Sequence, residues 1–192
     1  MVGGLQSGHA ALGLSREAYG VWDREGGNSV TTYPYTLGQA YYELWSNIEP
    51  SRTNFNWTAL DAALRFAYTN NQKFTVQILP AGGPGTGNMP RWLTNSPSTL
   101  KGYSDGTFWF CYYLDTNYFQ PYLKEMIDAL AKHLRTEVDP KLAARVAWVR
   151  CDTGATGDEV PYQTPSGVPA QYQITTPSTA WRTYRETVFE YY

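Results

Sequence analysis

The chain has 192 residues and a formal net charge of -2, from 15 Lys and Arg against 17 Asp and Glu. Its length suits one domain at ~150 residues per domain. The near-neutral charge, with no Lys/Arg run, excludes a binder that neutralises a series of nucleic-acid phosphates. Only 17% of residues are charged and 16% are aromatic, which excludes a disordered chain, collagen and a coiled coil.

No apolar stretch approaches the ~20 residues of a membrane helix. The first residues, Met1-Val2-Gly3-Gly4-Leu5-Gln6, lack the basic region and apolar core of a signal peptide. Location is open on this evidence, with a secreted or periplasmic protein as the expectation. Cys111 and Cys151 are too few for a disulfide scaffold. Two buried thiols are expected in preference to one bridge.

In chain order, Glu17 to Asp23 predicts a short strand, followed by a loop through Gly26, Gly27 and Asn28. Ala40 to Trp45 predicts a buried strand, which ends at Ile48-Glu49-Pro50 because proline cannot donate to a central ladder. Thr58 to Asn70 predicts a helix, with Leu60, Ala63, Leu64 and Ala67 on one face and Asn56 or Thr58 as its cap. Lys73 to Leu79 predicts a second strong strand. A long Gly- and Pro-rich loop then leads to a helix starting near Asp115–Asn117. Its apolar stripe is Phe119, Leu123, Met126, Ile127, Leu130 and Leu134, and Asp139-Pro140 closes it. Val146 to Cys151 predicts a third strong strand. A last helix from Ser178 carries Trp181, Tyr184, Val188 and Tyr191 on one face.

Strand and helix alternate, and the strands lack a clean period of two. That pattern predicts an α/β fold, with a parallel sheet buried on both faces by helices. The long loops follow the strands, so function is expected at the strands' carboxyl ends. Those loops carry Trp45, Asn47 and Glu49, then Trp92 and Trp109, then Asp152, Asp158, Glu159 and Tyr162. Aromatic faces beside carboxylates and amides suit a sugar, whose C–H faces stack and whose hydroxyls need polar partners. For Trp45 and Trp92, stacking on substrate and packing in the core are both open.

Other chemistries fit less well. Gly83-Pro84-Gly85-Thr86-Gly87 lacks the Lys-Ser/Thr of a phosphate loop and runs into Met89-Pro90. No Cys/His spacing resembles a zinc site, so no metal and no cofactor is expected. His133 lies near a helix end, where an exposed residue interacting with the helix dipole is expected. No Gly-x-Ser-x-Gly elbow is present. Glu159, in Asp152-Thr-Gly-Ala-Thr-Gly-Asp158-Glu159, is a candidate proton donor whose pKa aromatic walls would raise, and Asp158 is its rival. Glu49 is expected to pin its loop through backbone N–H groups. Asn56-Trp57-Thr58 matches a glycosylation sequon, but a helix start is the expected role.

The motifs Trp45-Ser-Asn-Ile-Glu49-Pro50, Phe55-Asn-Trp57-Thr-Ala-Leu60-Asp61, Lys73-Phe-Thr-Val-Gln-Ile-Leu-Pro80 and Pro90-Arg-Trp92-Leu93 resemble, in order and spacing, the clan A glycoside hydrolases. The similarity is to the β-galactosidase group of family 42 and relatives. It implies a (β/α)8 TIM barrel, of which residues 1–192 form a single domain covering about the first four βα units. It implies a retaining glycosidase acting on an oligosaccharide or polysaccharide, with two carboxylates ~5 Å apart. The family's acid/base position falls on Glu159, while the Gly-x-x-Gly-Glu loop of β-amylase-like barrels would align with Asp158. Trp45, Trp92 and Trp109 are then candidate stacking platforms, with Asn47, Asp152 and Tyr162 as further substrate contacts. The nucleophile ends strand seven in such enzymes and is expected to lie outside these four units. The alternatives are a non-catalytic sugar-binding fragment, or a half-barrel that self-associates or pairs with a missing half to close.

Overall fold

The computed structural model describes residues 20–24, 36–80, 89–94, 103–104, 109–110, 112–154, 161 and 170–192. Four strands form one parallel sheet: β1 (Val21–Asp23), β2 (Thr36–Leu44), β3 (Lys73–Leu79) and β6 (Val146–Arg150), in the order β1-β2-β3-β6. A second, two-stranded antiparallel pair, β4 (Tyr103–Ser104) with β5 (Trp109–Phe110), stands in the long excursion after β3. The helices are α1 (Trp45–Ile48), α2 (Thr58–Thr69), α3 (Arg91–Thr94), α4 (Phe119–Lys132), α5 (Pro140–Ala143) and α6 (Thr179–Phe189).

β3 runs over the predicted residues, and β6 stops one residue short of Cys151. β2 starts at Thr36, four residues before the predicted Ala40, and ends at Leu44. The extension lies outside the apolar run that begins at Ala40, yet Thr36, Gly38 and Gln39 are all buried. Trp45 opens a helical turn instead of ending the strand. α2 starts as predicted. The side chain of Asn56 accepts from the Thr58 amide at 3.1 Å and so replaces a missing helix donor partner. α6 is capped by Ser178, whose hydroxyl accepts from the Trp181 amide at 3.2 Å.

α4 is shorter than predicted. It begins at Phe119 after Asp115 has accepted amides from Asn117 and Tyr118, and Pro121 sits harmlessly in the first turn. At Lys132 the helix widens into a π turn, His133–Glu137. α5, which was not anticipated, follows with Asp139 as N-cap and Pro140 at its first position.

The predicted stripe of α4 is buried from Phe119 through Leu134, alongside Leu60, Leu64 and Ala67 of α2 and Trp181, Tyr184 and Val188 of α6. Phe74, Val76 and Ile78 of β3 face this helical layer. By alternation, Thr75 and Gln77 face the other way. The register places Thr75 beside Trp148 and Gln77 beside Arg150 on that inner face. The expectation of strands buried on both faces is corrected here. β6 is largely exposed, and Trp148 is 36% exposed. Tyr42 on β2 is 48% exposed. The four parallel strands with their outer helices are one side of a barrel-like α/β fold.

Gly38 marks the tightest place in the sheet. Its register partners are Trp22 and Lys73. A Cβ there would lie 2.4 Å from the Lys73 carbonyl oxygen and 2.6 Å from the Trp22 ring. Backbone atoms cannot yield as a flexible side chain can. Gly38→Ala is therefore expected to cost about 2–3 kcal/mol through forced strand separation. A lowered denaturation midpoint by circular dichroism is the check, and an unchanged midpoint would remove this account.

Candidate active site

The carboxyl ends of β2, β3 and β6 open onto the loops that carry the predicted site residues. The rim is built around Glu49. Its carboxylate accepts from the Trp45 indole N–H at 2.8 Å and from the Thr53 amide at 2.8 Å. Its backbone carbonyl accepts from the Trp92 indole N–H at 2.9 Å. Glu49 is 1% exposed. Burial pushes its carboxyl pKa up, and the Trp45 and Thr53 bonds pull against that shift. Thr53 holds a φ of 63°, an uncommon conformation for a β-branched residue, and the Glu49 bond secures it. Arg52 adds two bonds to Glu125 at 2.9 and 3.0 Å, and its guanidinium lies 4.4 Å from the Tyr122 ring centre.

The tryptophans separate. Trp45 is fully buried, edge-on to Trp92 at 6.3 Å and to Phe119 at 6.1 Å. No face is left for a sugar, so its candidacy as a stacking platform is corrected to a core role. Trp92 is half-buried, packs on Tyr122 at 5.4 Å, and ties α3 to Glu49. Trp109 stands in β5. Asp158, Glu159 and Tyr162 lie outside the described residues, as do the Gly83–Gly87 run and Cys111. Cys151 is a half-buried thiol.

Asn47 is exposed, and its carboxamide donates to Glu43 at 2.8 Å. It lines a small pocket of about 360 Å³ with Glu43, Ser46, Pro50, Asn56 and Ala59. A larger cleft of about 820 Å³ runs along α6, and its described lining comes only from that helix and the Thr176–Ser178 turn before it. The rim, with its converging polar groups, is the better candidate site.

Asp152 is fully buried. One carboxylate oxygen accepts from the Gln77 carboxamide at 2.9 Å, and the other from the Gly154 amide at 3.3 Å. Asp152 thus ties the start of the loop after β6 to the end of β3, which is a positioning geometry in place of the expected substrate contact. Gln77 was missed from the sequence. Its signal was a polar residue inside the apolar run of β3, at a position that alternation turns away from the helices. Among the described residues, no group of three His, Cys, Asp or Glu gathers as a metal site, and no helix is long and apolar enough to cross a membrane.

The model of the glycoside hydrolase family described as β-galactosidase, family 42, matches residues 39–144. The chain belongs to this family. The match runs from β2 to α5 and contains all four motifs around Trp45, Trp57, Phe74 and Trp92. No curated protein matches the chain. Family 42 enzymes are clan A glycoside hydrolases with a TIM-barrel-like α/β fold, and the parallel sheet with helices on its outer side accords with a part of such a barrel.

Within this β-galactosidase-family rim, Glu49 is the residue whose loss is most damaging to structure. Glu49→Ala leaves the buried Trp45 indole and the Thr53 amide without an acceptor, at about 1–3 kcal/mol for each stranded donor. Glu49→Gln keeps one acceptor oxygen and is expected to lose about half as much. Urea denaturation of the two variants tests this, and equal midpoints for Ala and Gln would contradict the bonding scheme.

Proposed function

We propose that the chain contributes to a retaining glycosidase that cleaves O-glycosidic bonds of oligo- or polysaccharides, with Glu159 as general acid/base. The observation that carries this reading is the family match across β2 to α5. The tie from Asp152 to Gln77 supports it, because it fixes the chain at the carboxyl end of β6, shortly before Asp158 and Glu159 in sequence.

In the first step Glu159 gives its proton to the glycosidic oxygen as the bond to the anomeric carbon breaks. A second carboxylate ~5 Å away attacks that carbon and forms a glycosyl-enzyme ester. Glu159, now ionised, takes a proton from water, whose oxygen displaces the enzyme carboxylate. The second carboxylate comes from a further strand. Trp92 and Trp109 supply apolar faces, and Asn47 and Tyr162 supply hydrogen bonds to hydroxyl groups.

The test is hydrolysis by the complete barrel, all strands present. Glu159→Gln is expected to lower kcat on alkyl glycosides by about 10²–10⁴ and to remove the alkaline limb of the pH profile. Substrates with acidic phenol leaving groups, which need little protonation, should suffer less. If Asp158→Asn produced that pattern and Glu159→Gln did not, the proton donor would be Asp158.

A second reading rests on the surface of the sheet. Val21 on β1, Tyr42 and Trp148 on the inner face, and Phe189 on α6 are exposed by 62%, 48%, 36% and 50%. These residues lie where further strands and helices would cover a half-barrel. A second copy, placed by a twofold axis, would set β6 of one chain beside β1 of the other and complete eight strands, the number at which side chains fill a barrel. The seventh strand would then be the other copy's β3, which ends on Leu79-Pro80 and offers no carboxylate. Such a dimer would bind sugar without hydrolysing it. Light scattering decides: twice the 21.7 kDa chain mass with sugar binding and no turnover supports it, and a monomer rejects it.

A further inference from the structure

Sequence reading placed His133 on an exposed helix end, and the structure corrects this. His133 is only 6% exposed. Its Nε2 lies 2.8 Å from an Asp61 carboxylate oxygen on α2, and its Nδ1 lies 3.0 Å from a Glu137 oxygen one turn along. The indole of Trp57 stacks on the imidazole, 4.9 Å between centres and 14° from parallel, and Phe55 stacks on the other side of Trp57 at 5.6 Å. His133 opens the π turn and Glu137 closes it, four residues on, a spacing that sets both side chains on one face of a helix.

Both ring nitrogens face carboxylate oxygens, which only accept. Each nitrogen must therefore carry a proton for both bonds to exist, so the arrangement is complete only with an imidazolium. A flat aromatic ring over that cation adds to the attraction. We propose that His133 is a pH-dependent latch, closed when doubly protonated, that fastens the first turn of α2 and the Phe55–Trp57 segment to the end of α4. The inference is independent of the glycosidase reading.

The surrounding charges define the working range. Asp61 faces Nε2 from α2. Glu137 faces Nδ1, and its other oxygen takes Lys132 at 2.9 Å. α5 packs against both α2 and the π turn and brings Asp139 and Lys141, with the Asp139 carboxylate bonded to the Lys141 amide. The hydrogen bond from His133, then that from Lys132, holds Glu137 below the usual carboxylate range. On the acid side the latch is therefore kept below the ordinary Glu titration and lost as pH falls through the lowered one. A neutral ring can donate from one nitrogen only, so loss of a ring proton leaves one of the two bonds unmade. The consequence reaches the rim. Asn56 donates its amide to the Ile48 carbonyl at 2.7 Å, so a loosened Phe55–Trp57 segment loosens the turn that holds Glu49.

The experiment is nitrogen NMR of the imidazole in the native chain, with melting temperature measured against pH in parallel. Expected are two protonated ring nitrogens on His133 at mildly acidic pH, and a fall in melting temperature of about 3 °C as the ring loses a proton. His133→Gln should flatten that alkaline slope. A His133 that is singly protonated at every pH where the chain is folded would overturn the latch. So would the same slope in His133→Gln. Should His133→Gln fail to fold, the nitrogen shifts of the native chain decide alone.

Discussion

A buried carboxylate holds the rim of this parallel sheet together. Taking Glu49 out of water is costly for a charged group, and the fold meets that cost with donors it already owns. The Trp45 indole and the Thr53 amide reach its two oxygens, and the Trp92 indole reaches its carbonyl. These three bonds join the turn after β2, the left-handed residue at Thr53 and the short helix α3. Without the Glu49 carboxylate the Trp45 indole and the Thr53 amide would lose their acceptor together. The chain leaves the sheet at Leu44 into the helical turn Trp45–Ile48, and Glu49 is held directly after that turn. The family motif around Trp45, Glu49 and Trp92 is therefore first a structural device. Its link to chemistry is that it shapes the surface on which a substrate would rest.

Much of the fold was legible because burial writes a period into the sequence. The apolar run from Lys73 to Leu79 folds over the predicted residues, and the stripe from Phe119 to Leu134 is buried as read, although its helix starts later and ends in a π turn. β2 was only partly legible. Gly38 is a weak strand former, and what places it in a strand is a neighbour on each side and the Trp22 ring that must cross it. That is tertiary context, and no local propensity contains it. The π turn was hidden for a similar reason. His133 has its partner Asp61 72 residues away, and a lone histidine near a helix end reads as solvated until that partner is known.

The site was less legible than the fold, since residue type does not separate a stacking tryptophan from a packed one. Trp45 and Trp92 stand in equivalent-looking loops, yet one is sealed by Phe119 and its neighbour while the other keeps a partly open ring. Asp152 had the right chemistry for a sugar hydroxyl, but the fold uses both its oxygens internally. Its partner Gln77 could have been suspected as the polar interruption of an apolar strand. Family 42 membership is carried by residues 39–144, upstream of β6. Structural motifs thus identify the chain, while the acid/base assignment rests on chemistry further along.

The inner face of the sheet explains why the polar groups gather at one end. Trp22 crosses Gly38 near the start of β3 and meets Trp148, with 4.5 Å between ring centres. Two indoles fill the volume at the amino ends of the strands, and the missing side chain at Gly38 makes room for them. One layer higher, Gln77 and Arg150 are register partners, and Gln77 reaches Asp152. On this inner face two aromatic rings meet nearer the amino ends, and amide, guanidinium and carboxylate groups stand nearer the carboxyl ends. A parallel sheet turns all its strand ends the same way, so the loops of β2, β3 and β6 all rise from the polar layer. The polarity of the strands, together with one glycine, thereby selects the end of the sheet at which these polar groups gather.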